Sequence, residues 1–237
     1  MKITSEVKIF SIILVAAVGL VAFAVVPTLR QPSTEDIVKP REEPKITRDM
    51  LVTKDSHMRG KPDAARTLVV FSDFQCPQCK NSAPKVEAIL AENKDQLNMV
   101  YHNFQARPDH FNAKILDRAA EAAGMQGKFW EMHDLLFKNQ PDLIVEDLKA
   151  VKAKLTSMAE SLKLDLTKFK ADSESPATEK RYTEDNAIAA KCDVHATPWA
   201  FGIDPQGKVT YLPETEMVKK WLRGEPLDGL LPAPKKQ

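Results

Sequence analysis

In Thr67-Leu68-Val69-Val70-Phe71-Ser72-Asp73-Phe74-Gln75-Cys76-Pro77-Gln78-Cys79, a short β-branched and apolar run ends in two cysteines three residues apart. Thr67 to Phe71 does not alternate between apolar and polar, so it reads as a strand buried on both faces. A helical stretch follows from Cys76 to Asn93, with Val86, Ile89 and Leu90 at helical spacing. Leu97 to Phe104 is the next strand candidate. Strand, helix, strand in that order is a βαβ unit, which places the chain among α/β layered domains.

Further along, Asn112 to Lys191 is rich in Ala, Leu, Lys and Glu and is punctuated by Gly124, Gly127, Pro141 and Pro176. Three or four helices are expected there. Trp199 to Ile203 and Lys208 to Leu212 then form a second strand pair, joined by Asp204-Pro205-Gln206-Gly207, which has the residues of a hairpin turn. Glu214 to Arg223 closes the pattern as a short helix. The layout is one sheet split in sequence by a helical insertion over about residues 112–191.

Upstream, Ile9 to Leu29 carries no charge, and only Ser11 and Thr28 are polar. At about 1.5 Å per residue such a run spans a hydrocarbon core of roughly 30 Å. The expectation is an uncleaved membrane anchor over residues 1–30. Ala22-Phe23-Ala24 has the small-x-small form of a signal-peptidase site, and cleavage there would leave a periplasmic or secreted product. Lys2 and Lys8 on one side face Arg30, Lys39 and Arg41 on the other, so flanking charge does not decide orientation. Residues 31–56, with Pro32, Pro40 and Pro44 among mixed charges, read as an extended linker, and residues 57–237 as the folded domain.

Composition narrows the function classes. The 237 residues include 34 basic and 33 acidic side chains, and residues 1–30 hold three of the former and one of the latter. The remainder is almost neutral, which gives no support for a nucleic-acid partner. Three cysteines are too few for a small scaffold held by a disulfide framework. A zinc site needs about four ligands. No second cysteine pair is present, and His57, His102, His110, His133 and His195 are scattered, so no metal is expected.

The spacing of Cys76 and Cys79 suits redox chemistry. Residues i and i+3 of a helix lie on one side about 5 to 6 Å apart, within the Cα separation of a disulfide. Cys76 begins the helix, where free N–H groups and the helix dipole favour a thiolate. Cys76 is therefore expected to attack and leave, while Cys79, one turn inside, resolves the mixed disulfide. Pro77 suits the first helical turn, where its missing N–H costs nothing, and Gln78 completes the redox motif.

Phe71 to Cys79 resembles the active-site segment of DsbA-like thiol-disulfide oxidoreductases of the thioredoxin fold. Pro84, eight residues after Cys76, matches the proline of the active-site helix in that fold. Ala196-Thr197-Pro198 before a strand resembles the Thr-cis-Pro loop. Gly124 to Asp134 resembles the helical insertion and His57-Met58-Arg59-Gly60 the domain entrance, so the likeness covers about residues 57–212. It implies a thioredoxin-like fold with a helical insertion and a cis Thr197-Pro198 bond facing the active cysteine. Thr197 and Pro198 would then bind a substrate strand. It also implies protein substrates bearing thiols or disulfides, a membrane redox partner that recycles the pair, and no organic cofactor, the disulfide being itself the redox group. The substrates place the domain outside the cytoplasm. The linker is too short for the dimerisation domain of bacterial disulfide isomerases, so oxidation is expected rather than isomerisation. A reductase, a non-catalytic binding or chaperone module and a zinc-dependent interaction domain are the alternatives.

One position departs from the family. Thioredoxin-fold relatives often carry a buried acid six residues before the first cysteine, and here that residue is Val70. Asp73 is expected to cap the turn or meet solvent. Cys192, the odd thiol, is expected to be buried and inert, and Trp130 and Trp199 to form core or groove wall.

Overall fold

The computed structural model describes residues 45–227. The expected anchor and most of the linker lie outside the described residues. Among the described residues no helix is long and apolar enough to cross a membrane.

The elements run α1 (Arg48–Leu51), β1 (His57–Gly60), β2 (Arg66–Ser72), α2 (Pro77–Glu92), β3 (Leu97–Asn103), α3 (Ala113–Gly124), α4 (Phe129–Lys138), a 3₁₀ turn (Gln140–Asp142), α5 (Leu148–Ser161), α6 (Leu166–Ser173), α7 (Pro176–Lys191), β4 (Trp199–Ile203), β5 (Val209–Tyr211) and α8 (Thr215–Leu222). They form one five-stranded sheet in the order β1-β3-β2-β4-β5. β2 lies at the centre, parallel to β3 from Arg66↔Leu97 to Ser72↔Asn103 and antiparallel to β4 from Thr67↔Ile203 to Phe71↔Trp199. That position explains its unalternating sequence, since both of its faces are covered. Leu68 and Val70 pack with Ile89, Leu90 and Trp221 on one side. Val69 and Phe71 pack with Val100, Ala189, Cys192 and Phe201 on the other.

Five α-helices, rather than three or four, fill the segment between β3 and β4. The additional boundaries come from polar caps in stretches without Pro or Gly. Asp147 accepts from the Lys149 and Ala150 N–H groups, and Asp165 from the Lys168 N–H. Each such bond satisfies a donor that a new helix would otherwise leave open. Ser175 caps α7 in the same way, ahead of Pro176.

Two stretches carry more order than their sequence advertises. His57–Gly60 pairs antiparallel with β3, with Gly60 at φ +98°, a backbone that disfavours any side chain. Leu51, within the expected linker, is fully buried, and its carbonyl lies 2.7 Å from His102 Nε2.

Candidate active site

β2 ends at Ser72, and the next four residues turn the chain into α2. The Cys76 N–H donates to the Asp73 carbonyl, and Asp73 Oδ1 accepts from the Gln75 N–H at 2.8 Å. Cys76 is the N-cap of α2 and Pro77 its first residue. This geometry exposes the cysteines unequally: Cys76 is 6% exposed and Cys79 fully buried. Both are free thiols, as is Cys192.

The two sulfurs have opposite electrostatics. The Cys76 thiol is lowered to about 6, first by the side-chain hydrogen bond from Cys79, against the opposing effect of burial. The Cys79 N–H, the Thr197 hydroxyl and the Gln78 N–H contribute further in the same direction. The two N–H groups are donors that a helix N-terminus offers to an anion, and the Thr197 hydroxyl comes from the loop before β4. Cys79 is pushed far upward, first by burial and then by the neighbouring Cys76 sulfur. The pair therefore holds one ready thiolate and one thiol that keeps its proton.

The Thr197-Pro198 bond is cis. Its loop meets the cysteine directly: the protonated Cys76 Sγ donates to the Thr197 carbonyl at 3.4 Å. The four positions singled out from sequence, Cys76, Cys79, Thr197 and Pro198, thus come together across a separation of about 120 residues, Pro77 and Gln78 forming the turn between the cysteines. Trp199, just beyond, stacks on Tyr211 at 4.4 Å and is half-buried. Trp130 is half-buried against Tyr101, its Nε1–H donating to the Met58 carbonyl. Cys192 lies on the opposite face of the sheet, buried beside Val69 and Phe71.

Asp73 does cap the turn, but it does not meet solvent: it is 1% exposed, and its Oδ2 lies 2.6 Å from His110 Nδ1. Burial, the largest influence, raises its pKa despite the opposing bonds from His110 and Gln75. The reason is topological, since the loop after β3 folds back over the turn and brings His110 to it.

Two supporting residues escaped the sequence reading. Gln140 Nε2 donates to the carbonyls of Phe74 and Cys76, at 2.8 and 3.0 Å, and so clamps the turn from the helical insertion. Nothing in the sequence marks it. His110 gave no signal either.

The comparisons agree with this architecture. A family model described as Thioredoxin matches residues 52–221. The chain is similar in structure to a thioredoxin-like oxidoreductase from Silicibacter pomeroyi, with a TM-score of 0.60 and 22% identity over 76% of this chain and 97% of that one. It is also similar to oxidised BdbD from Bacillus subtilis, with a TM-score of 0.59 and 21% identity over 71% and 91% of the two chains. In sequence it is 35% identical over 156 residues to Na(+)/H(+) antiporter NhaA 1 of Salinispora arenicola, a match covering 65% of this chain and 23% of that protein. The chain thus spans about a quarter of the length of the curated relatives it matches. The family match and the fold lead to one assignment: the chain belongs to the thioredoxin family.

Proposed function

We propose that this protein exchanges disulfides with protein thiols outside the cytoplasm, in the oxidising direction, through Cys76 and Cys79. The observation that carries the reading is the asymmetry of the pair, a thiolate-forming Cys76 that keeps slight exposure and a Cys79 behind it that has none. A substrate thiolate attacks Cys76 Sγ of the oxidised pair, the Cys76–Cys79 bond breaks, and Cys79 takes the electron pair and a proton. A second substrate thiolate attacks the substrate sulfur of the mixed disulfide, and Cys76 leaves as a thiolate. A low-pKa thiol is the better leaving group, which favours donation of the disulfide. The Thr197-Pro198 loop, whose carbonyl already meets Cys76, holds the substrate strand. Pro198 has no N–H, which keeps a donor out of that contact.

The apolar run at residues 9–29 supports that address, as an anchor tethering the domain through the following linker. Similarity to part of an Na(+)/H(+) antiporter supports a place at the membrane. A membrane redox partner would re-oxidise the pair there.

Substrate trapping tests the reading. Cys79→Ser, expressed in the native compartment, should accumulate mixed disulfides through Cys76, while Cys76→Ser should accumulate few. No mixed disulfide with Cys79→Ser would instead favour a non-catalytic binding module.

A further inference from the structure

On the face of the sheet away from Cys79, a buried histidine meets two acceptors at once. His102 is fully buried, with Nδ1 2.8 Å from Asp185 Oδ1 and Nε2 2.7 Å from the Leu51 carbonyl. A carbonyl oxygen accepts and cannot donate, so the Leu51 contact requires a proton on Nε2. Asp185, equally buried, also accepts the Asn103 N–H at 3.0 Å and an Arg181 N–H at 3.4 Å. With a guanidinium and a backbone donor aimed at it, this carboxyl is the anion, and its contact with the ring requires a proton on Nδ1 as well. A neutral imidazole carries one proton, and this ring needs two.

What the ring holds is the chain's way into the domain. Leu51 ends α1 and shares a buried cluster with Val69, Phe71 and Val100, while Met50 and Val52 pack partly buried against it. α1 is a single turn of four residues, too short to be stable alone, so its place depends on that packing and on the bond to its last carbonyl.

We propose that His102, protonated on both ring nitrogens, is a clasp that fastens the segment before β1 to the sheet and opens when one of those protons is lost. The remaining proton then has two acceptors to serve. A hydrogen bond to a carboxylate is stronger than one to a carbonyl, so the proton stays with Asp185 and Leu51 is released. The clasp is shut at low pH and opens as pH rises. Opening frees residues 46–52, roughly 25 Å of chain at about 3.5 Å per residue, as added reach for the domain.

The charged groups around the ring come from several elements. α7 supplies Asp185 and Arg181, α3 supplies Glu121 at 3.7 Å from Arg181, and β1 supplies His57 at 2.9 Å from Glu121. Asp117 of α3 lies within electrostatic reach of Asp185. β2 contributes the Phe71 ring, stacked on His102 at 4.9 Å, and α1 turns its last carbonyl inward while Arg48 and Asp49 stay exposed.

The test uses the full-length chain. Long-range proton–nitrogen correlation spectra of the His102 ring should show a proton on each nitrogen at about pH 6, and a bare nitrogen there would overturn the proposal. Hydrogen exchange of the Met50 and Val52 amides, which bond to the Thr47 and Arg48 carbonyls, is followed as protection factors from about pH 5 to about pH 9. Protection should fall by about 10- to 100-fold as the ring loses its proton, the worth of a hydrogen bond to a charged group, while the β2 amides keep theirs. Constant protection of Met50 and Val52 over that range would overturn the clasp. Asp185→Asn separates the proton from the packing, because its side-chain N–H can donate to Nδ1 and let a neutral ring keep the Leu51 bond. Protection in this variant should stay high at every pH. Protection that still falls with pH, or is low throughout, counts against the clasp. If Asp185→Asn does not fold, the ring spectra and the parent's exchange decide. Neither measurement depends on Cys76 or Cys79, so the redox reading stands or falls separately.

Discussion

Replacing Cys79 by alanine removes the S–H group that contributes most to holding Cys76 as a thiolate. The lowering from 9.0 to about 6 corresponds to about 4 kcal/mol of preference for the anion. Several donors share it. A hydrogen bond to a charged group is worth roughly 1.5 to 3 kcal/mol, so the loss of this one should raise the alkylation midpoint of Cys76 by about one to two pH units. At pH 7 the parent is about nine-tenths thiolate, and the variant should fall to between about a half and about a tenth. Stability of the reduced protein follows the same sign. Because folding depresses this thiol's pKa, the linked stabilisation is complete above about pH 9 and is lost as pH falls through about 6. About a third of it remains at pH 7 in the parent, which favours the reduced pair. Iodoacetamide rates across pH, checked against thiolate absorbance in the ultraviolet, measure the midpoint. A Cys79→Ala midpoint equal to the parent's would refute the reasoning and assign the thiolate to the helix terminus and Thr197 alone.

Two further substitutions probe the frame around the pair. Gln140→Ala leaves the buried Phe74 and Cys76 carbonyls without their shared donor and should cost about 1 to 3 kcal/mol in urea unfolding; an unchanged midpoint of unfolding would show that the clamp contributes nothing. Gly202→Ala would place a Cβ 2.7 Å from Trp221 Cε2 and 2.8 Å from Leu212 Cδ1, so it should lower stability by about 1 to 3 kcal/mol while the Cys76 alkylation midpoint stays where it is. A stable Gly202→Ala protein would mean that α8 moves away without penalty.

What the sequence made legible was whatever depends on neighbours in the chain. β2 was readable because a strand buried on both faces leaves an unbroken apolar run, β3 because Leu97, Met99, Val100 and Tyr101 still mark it, and the cysteine turn because its residues are consecutive. β1 was not, because a four-residue edge strand with the single apolar residue Met58 owes its form to pairing with β3. The same limit hid the burial of Asp73, whose partner His110 lies 37 residues away, and the clamp from Gln140, 64 residues beyond Cys76. The helix count fell short because Asp and Ser caps begin helices in segments that look uniformly helical.

The two faces of β2 keep the third thiol apart from the other two. Cys192 packs against Val69 and Phe71, and Cys79 belongs to the cluster on the far side with Phe74 and Tyr101. While the sheet is intact, the strand itself is a barrier to sulfur exchange within the molecule. Of the three pairings that three cysteines allow, the fold permits one. The exchange of disulfides with other chains proposed above is thereby kept from shuffling the protein's own, and the chain carries a spare thiol without the risk of locking itself into a dead-end isomer.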